Sequence, residues 1–280
     1  MKQASFWFLF WILALRKTSC ARFSMENVDS SNASSVTLDS IRDALIRMED
    51  TVVFSLIERA KFPLNSAMYD EKLKVPGFGG SFLEYFVKET EGLQAKAGRY
   101  ENPEEHPFFP DGLPSPLVPS RNYPEVLYPA AAGININKAI LEMYVHNLLP
   151  LFAKEGDDGN YAAAAASDLA CLQVLSRRIH YGMYVAEVKY RDAPQDYGTA
   201  ILAEDKDALM KLLTFEKVEE MVKQRVAKKA MVFGQEVTLG EKTDEGKYKV
   251  DPSVVSRLYG EWVIPLTKVV EVDYLLRRLD

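Results

Sequence analysis

The sequence predicts an all-α protein, on three observations. Apolar residues recur at intervals of three and four along most of the chain, and no segment shows the strict alternation of a half-buried strand. The stretch from Asp168 to Tyr190, DLACLQVLSRRIHYGMYVAEVKY, holds no proline and a single glycine, which suits a long helix buried on most of its sides. The helix breakers are segregated: of the 14 prolines, most fall within residues 103–129.

Composition narrows the function. At 280 residues and 48% hydrophobic, the chain can bury a sizeable core. A net charge of −6 and a pI near 5.3 argue against nucleic acid as a partner, because the only basic run is the local one from Lys223 to Lys229. Cys20 and Cys171 make no disulfide framework. His106, His146 and His180 have no zinc spacing, and no glycine loop suited to phosphate is present, so neither a metal nor a nucleotide cofactor is indicated.

In chain order, residues 1–24 read as a signal-like or dispensable leader. An apolar run, Phe6–Leu15, is too short to span a bilayer and suits a signal-peptide core, but Arg16 and Lys17 follow it where charge is usually avoided. Initiation at Met25 is the alternative, and Asn32-Ala33-Ser34 is a glycosylation sequon only if the leader directs secretion. Residues 25–37 form a flexible linker, and residues 38–280 one helical domain. The first helix runs from Leu38 toward Phe62, with Asp39 as cap, Pro63 as stop, and Arg42 and Glu49 on a solvated face. After a turn at Gly77–Gly80, a second helix runs from about Ser81 to Tyr100. The proline-rich segment is expected to wrap over the helices in extended form, pinned by Phe108, Phe109 and Tyr123. Helices follow from about Asn135 to Ala153, over the central stretch, near Thr199–Ala203 and Lys206–Leu213, from Thr214 to Phe233, and from Ser253 to Leu279 with an interruption at Pro265.

One stripe of the central stretch is unusual. At helical spacing it reads Cys171, Val174, Arg178, Gly182, Val185 and Lys189, so two cations interrupt an otherwise apolar or small face. They are separated by about three turns, roughly 16 Å of rise. Each side chain reaches back along the helix, and the bare backbone at Gly182 leaves a gap suited to a small dianion. The plainer alternative pairs each cation with an acid on a neighbouring helix. Glu219 either faces a cleft or pairs with Lys223 at i+4, and Thr267 and Glu271 lie one turn apart on one face.

The segments IRDALIRMEDTVVFSLIERAKF, YENPEEHPFFPDGLP, CLQVLSRRIHYGMYVAEVKY and VIPLTKVVEVDYLLRRLD resemble, in the same order, the all-helical chorismate mutases of fungi and plants, the cytosolic plant members most. The resemblance implies an isomerase that converts chorismate to prephenate, a homodimer and no cofactor. It implies a substrate pocket of Arg42, Arg178, Lys189, Glu219, Thr267 and Glu271. Arg178, Lys189 and Glu271 would be catalytic, and Arg42, Glu219 and Thr267 would bind the substrate. Phe215 stands where the fungal members carry an asparagine. An effector pocket would include Arg99 and Asn160, but Gly98, Ala162 and Ala163 depart from the regulated members, which implies a degraded site with weak or absent response to aromatic amino acids. The resemblance favours the cytosol, against the secretory pathway if residues 1–21 act as a signal. A secreted, catalytically idle helical binding protein on the same scaffold is the competing reading.

Overall fold

Glu49 and Arg59, two charged residues of the first helix α1 (Leu38–Arg59), are buried, and they explain much of how the helices are held together. The computed structural model describes residues 36–70, 72–235 and 247–278. The leader, nearly all of the linker and most of the charged loop before Pro252 lie outside the described residues.

α1 begins at Leu38 as expected, but its cap is Thr37, two residues before the expected Asp39. The Thr37 hydroxyl accepts the Ser40 N–H and the Ser40 hydroxyl accepts the Thr37 N–H, a reciprocal capping box, while Asp39 sits in the first turn where its charge suits the positive end of the helix. At the other end, Arg59 turns inward. Its Nε lies 2.5 Å from Asp168, which also accepts the hydroxyls of Tyr69 and Tyr144 at 2.6 Å each. The same guanidinium donates to the carbonyls of Phe62, Pro63 and Leu64, so the chain leaving α1 is wrapped around it. A buried charge supplied with this many partners fixes the position of α1 against α5 (Tyr161–His180), which carries Asp168.

The solvated face expected for Glu49 is corrected. Its carboxylate is 1% exposed and accepts from Arg225 at 2.8 and 2.6 Å and pairs with Lys229 at 3.1 Å, which docks α9 (Glu216–Gly234) on α1. Arg42 and Glu49 share a sequence spacing but not an environment.

The central stretch is also not one helix. It breaks at Tyr181 (φ −60°, ψ −12°) into α5 and α6 (Gly182–Asp192). A Cβ on Gly182 would lie 2.9 Å from both the Thr267 Cγ2 and the Thr267 carbonyl oxygen. The gap expected at Gly182 is therefore filled by α11 (Ile264–Leu276) and not left to a ligand, and that close approach carries Thr267 and Glu271 up to α6.

α2 (Phe82–Lys96) is capped by Ser81 with Glu84 in return. Its buried Glu91 accepts the backbone N–H groups of Phe108 (2.8 Å) and Phe109 (2.9 Å), and both rings pack on the core, so the proline-rich strap is held as expected at that end. Leu127 and Tyr128 pack on the core at the other end, while Tyr123 lies beside Arg121.

Two helices contain π turns. α3 (Asn137–Met143) passes through Tyr144–Leu148 into α4 (Leu149–Phe152), and α10 (Pro252–Leu258) passes through Tyr259–Val263 into α11. Each π turn stands directly before a proline at the second position of the next helix, Pro150 and Pro265. The widened turn accommodates a residue that has no N–H and whose ring would strike the carbonyl four residues back. Pro194 likewise opens α7 (Pro194–Leu202) at its first position, so this helix starts earlier than expected; α8 (Lys206–Leu213) follows as anticipated. No strand occurs among the described residues.

Candidate active site

α5, α6, α9 and α11 enclose a hollow of about 150 Å³ that brings together Arg178, Lys189, Glu219, Thr267 and Glu271, five of the six pocket residues expected from the sequence. Two of its walls are the helices brought together by Gly182.

Arg178 is 6% exposed. Its Nη1 lies 3.4 Å from the Thr267 hydroxyl, its guanidinium stands 5.7 Å from the centre of the Tyr259 ring, and its Nε is buried without a hydrogen-bond partner. Among the described residues no carboxylate forms an ion pair with it. A buried donor left open costs on the order of 1–3 kcal/mol, a cost that an anion in the hollow would remove. The Thr267 hydroxyl gives its own proton to the Val263 carbonyl at 2.6 Å, so it faces Arg178 as an acceptor and is not set up as a nucleophile.

The Lys189 ammonium lies 3.4 Å from Glu271 and 5.0 Å from the centre of the Phe215 ring. That distance is longer than a tight charge-assisted hydrogen bond, about 2.7–2.9 Å. Burial pushes the Glu271 carboxyl above the usual carboxylate range; Lys189, and then Arg178 and Lys268, pull it down, and burial prevails. The acid form is thus more accessible than in an exposed carboxylate, and in that form Glu271 donates.

Glu219 faces the pocket and accepts from Lys268 at 2.8 Å, while Lys223 pairs with Glu220 at 2.6 Å, which decides between the two arrangements its sequence allowed. Lys268 escaped the sequence reading. The signal was present, because Ile264, Thr267, Lys268 and Glu271 follow the i, i+3, i+4, i+7 spacing of one helix face and all line the hollow.

Arg42 is not brought in. Its side chain is 62% exposed and Nη1 pairs at 2.9 Å with Asp39, one turn earlier, although Leu45 on the next turn lines the pocket. The expected effector residues are engaged within this chain: Arg99 donates to Glu105 at 3.0 and 2.8 Å and to Gln173 at 2.8 Å, and the exposed Asn160 gives its backbone N–H to Asp158 at 3.0 Å. Gly98 has φ +80°, and a Cβ there would meet Val118 at 3.0 Å, so glycine suits this turn after α2.

A larger hollow of about 1000 Å³ lies under the proline strap, but its arginine, Arg278, is already bonded to Glu187. The small hollow is different. Arg178, Lys189 and Lys268 face Glu219 and Glu271, so cations outnumber carboxylates three to two, and burial shifts Glu271 toward its uncharged form, in a space that admits only a compact molecule. A small, enclosed and net-positive lining of this kind suits a compact anionic ligand.

Comparison with known proteins identifies the family. The family described as Chorismate mutase type II matches residues 160–272, which span α5 to α11. Chorismate mutase 2 of Arabidopsis thaliana is 62% identical over 91% of this chain and 98% of its own. The cytosolic chorismate mutase 2 of Zea mays is 54% identical over 90% of this chain and 100% of its own. The crystal structure of a Candida albicans chorismate mutase in complex with L-tryptophan superposes with a TM-score of 0.82, at 42% identity, over 86% of this chain and 91% of that one. The chain belongs to the chorismate mutase family, in its all-helical eukaryotic form, and is an isomerase.

Proposed function

We propose that this chain converts chorismate to prephenate in the hollow between α5, α6, α9 and α11. The excess of positive charge there supports the reading, since chorismate is a dianion. The reaction is intramolecular: the ether carbon–oxygen bond breaks as a carbon–carbon bond forms, and the ether oxygen gains negative charge in the transition state. No external nucleophile takes part. The protein's work is to hold the compact conformer and to place donors where charge develops.

In this reading Arg178 grips one carboxylate through its planar fork, and its open Nε gains a partner. Arg42 leaves Asp39 and closes on the second carboxylate from the mouth of the pocket. Lys189 and protonated Glu271 donate to the ether oxygen, Glu219 accepts from the substrate hydroxyl while Lys268 holds it charged, and Thr267 supports the Arg178 side. A homodimer and a cytosolic setting are part of the proposal, the latter in line with the name of the maize relative. So is a weak response to aromatic amino acids, because Arg99 is taken up by Glu105 and Gln173 and Gly98 supplies no second cation. The idle-scaffold reading finds no support, since relatives matching nine-tenths of the chain are named as mutases.

The test is loss of chorismate absorbance with the purified chain. Arg178→Ala should lower kcat/KM by about 10²–10³-fold, the usual loss for one such donor, with the melting temperature nearly unchanged. Near-normal turnover in that variant would refute the assignment.

A further inference from the structure

Behind the pocket, α6 and α11 are joined a second time, by groups the reaction does not use. Glu187 is 3% exposed and sits two residues before Lys189, so it leaves α6 on another side. Its carboxylate accepts the Tyr274 hydroxyl and the Arg278 Nε at 2.8 Å, with Arg191 at 3.4 Å on its other oxygen. Tyr274 follows Glu271 by three residues on α11. The Arg278 guanidinium stands between two aromatic rings, 4.9 Å from the centre of Tyr128 and 5.0 Å from that of Tyr190. The Tyr274 hydroxyl also accepts the Tyr128 backbone N–H at 3.1 Å, which ties the end of the strap into the same cluster.

Gly182 meets Thr267, and Glu187 meets Tyr274, so the two helices run side by side in the same sense and each clamps the other at two levels. On α11 Glu271 lies between Thr267 and Tyr274, while Lys189, two residues beyond Glu187 on α6, meets it at the pocket edge. We propose that Glu187, Tyr274 and Arg278 are positioning residues: a latch outside the pocket that sets how far the Lys189 ammonium stands from Glu271. Loosening the latch lets α6 shift on α11 and moves the two donors out of joint register on the reacting oxygen. A displacement of about 1 Å from a remote change can cost up to about a hundredfold in rate.

The inference rests on the roles assigned above to Lys189 and Glu271, and its test separates the two. In the full chain, Tyr274→Phe removes only the hydroxyl and keeps the ring, and Arg278→Ala opens the latch further. Both should lower kcat, Arg278→Ala by about ten- to a hundredfold, with KM changed by much less. Glu271 faces Lys189 of α6, Arg178 of α5, Tyr197 of α7 and Lys268 of its own helix. With Lys189 drawn away, its pull on the carboxyl weakens, so the alkaline limb of the kcat/KM profile should move to higher pH in both variants. A general loss of folded protein would scale the profile without moving it. Wild-type kcat with an unmoved limb in Tyr274→Phe and Arg278→Ala would overturn the latch. Wild-type activity in Lys189→Met would instead overturn the catalytic reading on which it rests.

Discussion

Glu271 carries two opposing influences in one side chain. Burial favours its acid and Lys189 favours its anion, with burial the stronger. A group whose pKa is raised on folding holds its proton to higher pH, so turnover should fall as pH rises through that raised value, when the donor to the ether oxygen is lost. Wild-type stability should decline over the same interval, because folding favours the protonated form. Glu271→Gln keeps a donor at every pH and should retain activity while its kcat/KM profile loses that limb; an unchanged profile would remove Glu271 from the role. At this scale the sequence was informative where residues shared a helical stripe. Arg178 and Lys189 stood out as cations on an apolar face, and Thr267 with Glu271 as a one-turn pair. Lys268 lay on the same face and was passed over, because a lysine beside a threonine looks like any solvated residue until Glu219 is brought opposite it by the fold. Arg42 was placed in the pocket by resemblance, although its i, i+3 spacing from Asp39 was the sequence signal for the surface pair that holds it outside.

α9 owes its position to an acid on another helix. Glu49, buried on α1, takes a two-point contact from Arg225 and a further one from Lys229. Glu49→Ala should destabilise the fold by about 2 kcal/mol in urea unfolding, less than a fully buried pair would because Arg225 remains more than a third exposed. It should also weaken substrate binding, since α9 carries Glu219 into the pocket. A stability change below about 0.5 kcal/mol, the range of ordinary surface substitutions, would assign the docking of α9 to its apolar contacts alone. The helices themselves were legible from apolar spacing, and their ends within a few residues. What spacing could not supply was partnership. Glu49 looked solvated because its partners lie about 176 positions further along the chain, and the central stretch looked continuous because the crowding that marks Gly182 comes from α11. The helix expected near Thr199–Ala203 begins earlier, at Pro194, whose missing N–H is harmless at the first position of a helix.

For the whole molecule, the fold class followed from periodicity and from the confinement of proline, and the described residues are helical throughout their ordered elements. The interior tie between Arg59, Asp168, Tyr69 and Tyr144 was not visible, because nothing in a sequence distinguishes a buried arginine from an exposed one before its acid is known. Assembly and regulation belong to this scale as well. Sedimentation of the purified protein should give twice the monomer mass of 31.6 kDa, and addition of tryptophan or tyrosine should change the rate by less than about twofold, within the reach of a coupling well under 1 kcal/mol. A monomeric active species would remove the dimer from the proposal. Strong activation by tryptophan would show that Arg99 can be released from Glu105 and Gln173.

The π turn at Tyr259–Val263 bears on all three scales. A five-residue turn holds one more residue than α-helical winding needs, so it acts as a shim inserted between α10 and α11. Removing one of its residues would restore ordinary winding, but it would then set Pro265 within an unbroken helix, at a cost of about 3 kcal/mol. Shim and proline are therefore a matched pair, and a lineage could lose both together more easily than either alone. Pro150, behind its own π turn, obeys the same constraint on the far side of the protein's sequence.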